Sequence, residues 1–223
     1  MNKERSAGRP TVLYSRSPLS ILIILMTDSK KKAFLFDFFG VFSPDIGWAW
    51  LEEHVQDLES EREYLKKLFH MLDSGAMRRE TFFATLGEKF SMPGDRILAE
   101  MNQKVILDKD LILILQKIKK NHRVGLLSNA NAEWLENILH THQLHQYFDT
   151  ITISSDIGHA KPDSSAFTHA LAHLGAGARD TIFVDDRESN IHAARQLGLT
   201  GIIYHNAKQL EQELYSQGIL ANE

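Results

Sequence analysis

The side chains best suited to chemistry are three acids that follow apolar stretches of the chain. Asp37 ends one such stretch and precedes Gly40, which allows the backbone to turn sharply. Asp185 and Asp186 end another. Adjacent carboxylates repel each other unless a cation or a lysine offsets their charge, and hard oxygen ligands suit Mg²⁺. The pattern predicts a divalent-cation site, with ordinary turn and helix caps as the alternative interpretation.

A hydroxyl, an amide and a lysine stand at comparable places in the sequence. Ser128 and Asn129 follow the apolar stretch 124–127, where they either bind a phosphoryl oxygen or form a local turn. Lys161 precedes Pro162, which disfavours a position on a helix. Its ammonium group can neutralise a phosphate and a neighbouring carboxylate, although a solvated loop lysine is the alternative. Together these residues are compatible with chemistry on a phosphate ester, and their roles in a turn and a solvated loop stay open at this point.

Short apolar stretches rich in β-branched and aromatic residues precede each of these groups. Such stretches are typical of strands that are buried on both faces of a parallel sheet. The predicted strands cover 33–38, 123–128, 150–154, 181–185 and 201–204, and helical patterns cover 132–140, 165–173 and 188–197. This alternation predicts a doubly wound, Rossmann-like α/β fold, in which ligands bind beyond the carboxyl ends of the strands.

The alternation is interrupted once, directly after the first predicted strand. Four helical patterns occur there, at 48–58, 61–72, 79–90 and 95–105. We therefore predict a core formed by residues 30–44 and 106–223, with a small helical cap at 45–105. Two tryptophans at the start of the cap, Trp48 and Trp50, either line the substrate entrance or belong to the core of the cap.

Four segments of the chain occur in a recognisable order: FDFFGV, LLSNAN, GHAKPD and FVDDRESNIHAARQLG. They resemble the motifs of the haloacid dehalogenase (HAD) superfamily, most of whose members are phosphatases. The resemblance extends over residues 33–205 and is greatest to a branch of bacterial sugar-phosphate phosphatases with a small helical cap. It implies a Mg²⁺-dependent phosphatase that acts on a small phosphorylated metabolite, such as a sugar phosphate.

The resemblance also implies a role for each motif residue. Asp37 is expected to be the nucleophile that forms an aspartyl-phosphate, Ser128 and Asn129 to bind substrate, and Lys161 to screen charge between the phosphate and the nucleophile. The expected Mg²⁺ ligands are Asp37, the backbone carbonyl of Phe39, and Asp186, with Asp185 and Asn190 supporting the metal through water or hydrogen bonds.

One position departs from the motif. The family usually has a second aspartate two residues after the nucleophile, which acts as general acid and base, and here that residue is Phe39. Phenylalanine cannot transfer a proton, so we expect slow turnover of poor leaving groups unless another side chain, such as His159, supplies the proton. Two other functions are compatible with Phe39: a catalytically weak binding or regulatory protein, and a 2-haloacid dehalogenase.

Composition limits the remaining possibilities. The formal net charge of -4 and the pI of about 6.3 indicate neither nucleic acid nor an anionic membrane as a partner, and leave the oligomeric state open. The lack of cysteine excludes disulfides and thiolate sites, and we expect a cytoplasmic location. The apolar run at 19–26 is too short for the ~20 residues that span a bilayer. We expect residues 1–29 to be an extension that is disordered or lies upstream of a true start at Met26, with an exported or membrane-anchored form and a structured extension as the alternatives.

Overall fold

A parallel β-sheet forms the centre of the molecule. The structure is a computed structural model that describes residues 32–220, so the predicted extension at 1–29 lies outside the described residues. The strands are parallel and lie in the order β3-β2-β1-β4-β5, where β1 is Ala33–Phe36, β2 Arg123–Ser128, β3 Thr150–Ile153, β4 Thr181–Asp185 and β5 Thr200–Ile203. The predicted doubly wound α/β fold is confirmed, with two strand boundaries as predicted and the other three shifted by one or two residues.

The strands are apolar throughout because both faces of the sheet are covered. Successive side chains of a strand point to opposite faces. In β1, Phe34 and Phe36 belong to one buried apolar cluster, whereas Ala33 and Leu35 belong to the other. All four side chains are at most 2% exposed. A strand of alternating polar and apolar residues would therefore have buried its polar side chains in one of the two apolar layers.

Helices cover the two faces of the sheet. The first face carries α5 (Lys109–Lys119), α6 (Ala132–Thr141) and α10 (Ala207–Ser216), and the second carries α8 (Ser164–Leu174) and α9 (Glu188–Gln196). A short helix α7 (Ser154–Ile157) follows β3. Asp163 caps α8, because its carboxylate accepts a hydrogen bond of 2.9 Å from the Ser165 N–H. Helices α5, α7 and α10 are additional to the predicted elements.

Four helices are inserted between β1 and α5. They are α1 (Ile46–His54), α2 (Leu58–Asp73), α3 (Arg79–Phe90) and α4 (Gly94–Asn102). The helix predicted at 48–58 ends early, since Asp57 accepts a hydrogen bond from the Ser60 N–H and so starts a new helix. Their buried residues, among them Trp50 and Leu65, join the cluster on the first face of the sheet. Among residues 32–220, no helix has both the length and the apolarity needed to cross a bilayer.

Candidate active site

Three adjacent strands deliver polar side chains to one edge of the sheet. In the parallel register, Phe36 of β1 pairs with Leu126 of β2 and with Val184 of β4. The next residues along these strands therefore emerge side by side at the carboxyl edge. Asp37 follows β1 and Asp185 ends β4, as the spacing in the sequence predicts.

The turn after β1 is shaped around the acids. The Phe38 N–H donates to Asp37 Oδ1 at 2.7 Å, which orients the carboxylate. Gly40 has a φ of +86°, a conformation that residues with a Cβ rarely adopt. A Cβ on Gly40 would lie 2.3 Å from Asp186 Oδ2, so the missing side chain leaves the space that the Asp186 carboxylate occupies.

A buried lysine joins two of the carboxylates. Lys161 Nζ lies 2.7 Å from Asp37 Oδ1 and 2.8 Å from Asp185 Oδ2, and all three residues are at most 6% exposed. Burial alone would lower the pKa of Lys161, but Asp185 and then Asp37 outweigh burial and raise it. Burial raises the pKa of Asp37 to about 7, against the opposing effect of the ammonium group. Lys161 is therefore charged and partly compensates two buried acids.

The two adjacent acids differ in how they are held. Asp185 accepts hydrogen bonds from the Arg187 N–H at 2.8 Å and from the Asn190 amide at 3.0 Å, in addition to the Lys161 contact. Although burial opposes it, these partners, Lys161 first, lower the pKa of Asp185. Asp186 Oδ1 is buried and has no hydrogen-bond partner among the described residues. Asp186 is thus the acid with free coordination capacity, and Asp185 is engaged by the protein itself.

The acids together have the composition of a hard-cation site. One carboxylate oxygen from each of Asp37, Asp185 and Asp186 lies within 4.8 Å of the others. A buried oxygen that lacks a partner costs free energy, and a cation would relieve both this cost and the mutual repulsion. The residues present therefore fit a Mg²⁺ ion.

The predicted substrate-binding residues occupy two different environments. Ser128 is fully buried, and its Oγ has no hydrogen-bond partner among the described residues. Asn129 uses both ends of its amide on the Lys161 backbone, donating to the carbonyl at 2.8 Å and accepting from the N–H at 2.8 Å. It thereby holds the loop that carries the lysine, whose peptide bond to Pro162 is cis. Asn129 also lines the cavity at the site, together with its neighbours Ala130 and Asn131.

A cavity of about 240 Å³ opens above Asp37 and Lys161. Phe39 and the half-buried Trp48 form part of its apolar wall, whereas Trp50 is fully buried in the inserted helices. Of the two alternatives for the tryptophans, Trp48 therefore lines the cavity and Trp50 belongs to the core of the inserted helices. His159 is not among the residues that line the cavity, and its ring lies 3.2 Å from the Asp163 carboxylate instead.

Four charged residues of the cavity were absent from the predicted site. They are Asp45, Lys66, Asp73 and Arg187; Lys66 is paired with Glu63, and Arg187 Nη2 lies 2.9 Å from Asp45 Oδ2. Arg187 adjoins the acid pair, which is a weak signal in the sequence. Asp45 directly precedes α1, and Lys66 and Asp73 lie in α2, where no motif marks them.

The sequence of this chain is similar to those of two known phosphatases. A sesquiterpene phosphatase from Aspergillus oryzae is 27% identical over 138 residues, which cover 60% of this chain and 70% of that protein. D-ribitol-5-phosphate phosphatase from Bacteroides thetaiotaomicron is 27% identical over 170 residues, covering 71% of this chain and 81% of that one.

A solved structure shares the fold. It is a HAD family enzyme from Bacteroides thetaiotaomicron, with a TM-score of 0.71 and 20% identity over 82% of this chain and 98% of that one. The same enzyme has been solved with magnesium and inorganic phosphate. The sequence profile of haloacid dehalogenase-like hydrolases matches residues 49–203, more than half of the 223 residues. The chain therefore belongs to the haloacid dehalogenase-like hydrolase family.

Proposed function

We propose that this protein is a Mg²⁺-dependent phosphatase that hydrolyses a small phosphorylated metabolite through a phosphoryl-Asp37 intermediate. The observation that carries the proposal is the cluster of Asp37, Asp185 and Asp186 around the buried Lys161. Phosphoryl transfer depends mainly on positioning and on neutralising charge, and this cluster supplies both. The phosphatase names of the two sequence relatives support the same reaction class.

The metal would be held by Asp37, Asp186 and the backbone carbonyl of Phe39. Asp186 is the best-supported ligand because its Oδ1 is buried without a partner among residues 32–220. Asp185 would act indirectly, since Lys161, Arg187 and Asn190 already occupy its oxygens. Bound Mg²⁺ supplies positive charge that offsets the charge of the phosphoryl oxygens and of the carboxylates.

In the first step, Asp37 attacks the phosphorus atom of the ester. Its Oδ1 is held by the Phe38 N–H and Lys161, which leaves Oδ2 free of hydrogen bonds from the described residues. A bond forms between the Asp37 carboxylate and phosphorus, the bond from phosphorus to the alcohol oxygen breaks, and the departing oxygen takes up one proton, which the loss of a proton from the attacking water in the second step replaces. Lys161 and the Ser128 hydroxyl stabilise the phosphoryl oxygens during this transfer.

In the second step, water attacks the phosphorus of phosphoryl-Asp37. The bond between phosphorus and the Asp37 oxygen breaks, so inorganic phosphate leaves and the carboxylate is regenerated. Asn129 contributes by fixing the Lys161 backbone, so the ammonium group keeps its place through both steps.

The leaving group would occupy the cavity between the inserted helices and the sheet edge. A volume of about 240 Å³ suits a small metabolite rather than a macromolecule. Residues 45–105 would then act as a cap that excludes water while phosphorus is attacked. Side chains of the cap, such as Trp48, would select among phosphate esters.

The test is phosphate release by the purified protein from phosphorylated sugars, nucleotides and small acids, with and without Mg²⁺. Asp37→Asn should reduce release to background while near-UV circular dichroism and the thermal midpoint show an intact fold. Acid-quenched wild-type protein should carry one phosphoryl group on the peptide that contains Asp37. Wild-type phosphate release by Asp37→Asn would disprove the nucleophile assignment.

The same assay separates the two alternative functions. A 2-haloacid dehalogenase would release halide from 2-chloropropionate without Mg²⁺, although such chemistry gives no reason for a metal-type acid cluster. A binding protein would bind phosphate esters and Mg²⁺ but would neither release phosphate nor become phosphorylated.

A further inference from the structure

The proposed reaction needs a side chain that transfers protons, and Phe39 cannot do so. The alcohol must gain a proton when it leaves, and the attacking water must lose one. A titratable side chain that lines the cavity and has no other role would be in position to carry this proton. This inference rests on the proposed phosphatase function.

Most charged side chains of the cavity are already engaged. Lys161 bridges two carboxylates, and Asp45 is paired with Arg187 while also accepting from the Trp48 N–H at 3.2 Å. Arg187 remains protonated at any working pH. Asp73 differs from these residues, because its carboxyl group has no hydrogen bond or ion pair with any residue of the described range 32–220.

The backbone around Asp73 is tied to the edge of the sheet. The Asp73 carbonyl accepts a hydrogen bond from the Ser154 hydroxyl, and Ser154 Oγ in turn accepts one of 3.0 Å from the Ala130 N–H. Two residues later, Gly75 has a φ of +75°, and a Cβ there would lie 2.7 Å from the Ser155 carbonyl oxygen. The end of α2 is thus docked on the segment that follows β3, which positions Asp73 at the cavity wall.

The surroundings of Asp73 suit proton transfer near neutral pH. Burial raises the pKa of Asp73 to about 7; the nearby Asp45 and Asp37 act in the same direction, while Arg187 and Lys161 oppose them. A carboxyl group with such a pKa is partly protonated and partly ionised at neutral pH. A group that acts first as an acid and then as a base needs both forms. His70 lies one turn before Asp73 on α2, is exposed, and also lines the cavity.

We propose that Asp73, delivered by the inserted helices, is the general acid and base of this site. Asp73 in its acid form gives its proton to the alcohol oxygen as the bond from phosphorus to that oxygen breaks. The resulting carboxylate then takes a proton from the water that attacks phosphoryl-Asp37. The proton taken from water restores the acid form of Asp73, so the cycle closes without another reactant.

Single-turnover rates with two probes test the assignment: ethyl phosphate, whose alkoxide needs a proton, and p-nitrophenyl phosphate, whose leaving group needs little help. Asp73→Asn should slow the first step on ethyl phosphate by about 10²–10⁴-fold and on p-nitrophenyl phosphate far less. With p-nitrophenyl phosphate, the Asp73→Asn variant should also accumulate phosphoryl-Asp37, because hydrolysis of this intermediate lacks a base. Asp73→Glu should restore part of the loss.

His70→Gln is the matched control, since it removes the neighbouring titratable group of the same cavity wall. Equal losses on both probes with Asp73→Asn, or a leaving-group effect confined to His70→Gln, would overturn the assignment. Absence of both phosphate release and phosphoryl-Asp37 in the wild-type protein would instead refute the phosphatase function.

A measurement independent of turnover checks the environment of Asp73. Because its pKa is higher in the folded protein than the ordinary 3.8, the folded state binds more protons and loses stability as pH rises from about 4 to 7. Asp73→Asn should therefore stabilise the protein relative to the wild type at pH 8, and less so at pH 4, in urea denaturation. An unchanged difference across this pH range would show that the carboxyl group is not held as described, and the proposal would fail.

Discussion

At the scale of single residues, charge balance around Lys161 dominates the site. One buried ammonium group lies within 2.8 Å of two buried carboxylates, and the acid next to them, Asp186, lacks a partner among residues 32–220. Taking ions out of water is costly unless they are paired and hydrogen-bonded. With all three acids ionised, the site has two positive charges too few, and a divalent cation would supply both.

Lys161→Met should destabilise the protein by about 3–5 kcal/mol in the presence of EDTA, because two buried carboxylates lose their counterion. The free energy of unfolding in urea at pH 7.5 measures this effect. Lys117→Met is the control, since the Lys117–Glu211 pair is partly exposed and such pairs contribute little. Similar losses for both variants would show that Lys161 has no special place in the charge balance.

At the scale of elements, the turn after β1 and the first inserted helices shape the two halves of the site. The turn brings Asp186 against Gly40, and the ring of Trp48 on α1 stacks on Phe69 of α2 at a centroid distance of 6.1 Å. The turn thus determines where Asp186 lies, and the inserted helices form part of the cavity wall. A change in either should affect a different property of the reaction.

Gly40→Ala should weaken Mg²⁺ binding, because its Cβ would overlap the Asp186 carboxylate. Gly218→Ala is the matched control: its φ is +67° and nothing lies within 4 Å of the added Cβ. Both variants carry the backbone cost of a positive φ, about 1–2 kcal/mol. Calorimetric Mg²⁺ titration should separate them, and equal affinities would contradict the close contact between Gly40 and Asp186.

Trp48→Ala should change selectivity more than stability. Removal of the half-buried ring takes away part of the apolar wall, so we expect the ratio of kcat/KM for aryl over alkyl phosphates to fall about tenfold. Tyr64→Ala removes an exposed aromatic residue of α2 that does not line the cavity, and its ratio should stay unchanged. A Trp48→Ala ratio equal to that of the wild type would assign selectivity to other residues.

At the scale of the whole described chain, the two connections between the inserted helices and the sheet run side by side. The Asp108 N–H donates to the Phe42 carbonyl at 2.9 Å, so the outgoing and returning segments are joined. Asp73 and Gly75 contact the segment after β3 at a second place. Binding at the acid cluster should consequently stabilise the folded state as a whole.

Mg²⁺ at 100 times its Kd should raise the free energy of unfolding by about 2.7 kcal/mol, the value that mass action predicts for one site. Asp186→Asn should lose most of this gain at the same Mg²⁺ concentration. Asp156→Asn, which changes an exposed acid on α7, should keep it. If Mg²⁺ stabilised Asp186→Asn as strongly as the wild type, the metal would bind elsewhere.

The sequence by itself determined the parallel sheet and the acids at its edge. Strands apolar on both faces have a distinctive local pattern, and residues that follow such strands must emerge at one edge, as Asp37 and Asp185 do. The distinction between Asp185 and Asp186 required tertiary structure, since only the positions of Lys161 and Asn190 reveal which acid is already engaged. The same holds for Asp73, because its proximity to Asp37 arises from helix docking between residues far apart in the chain, which leaves no local pattern in the sequence.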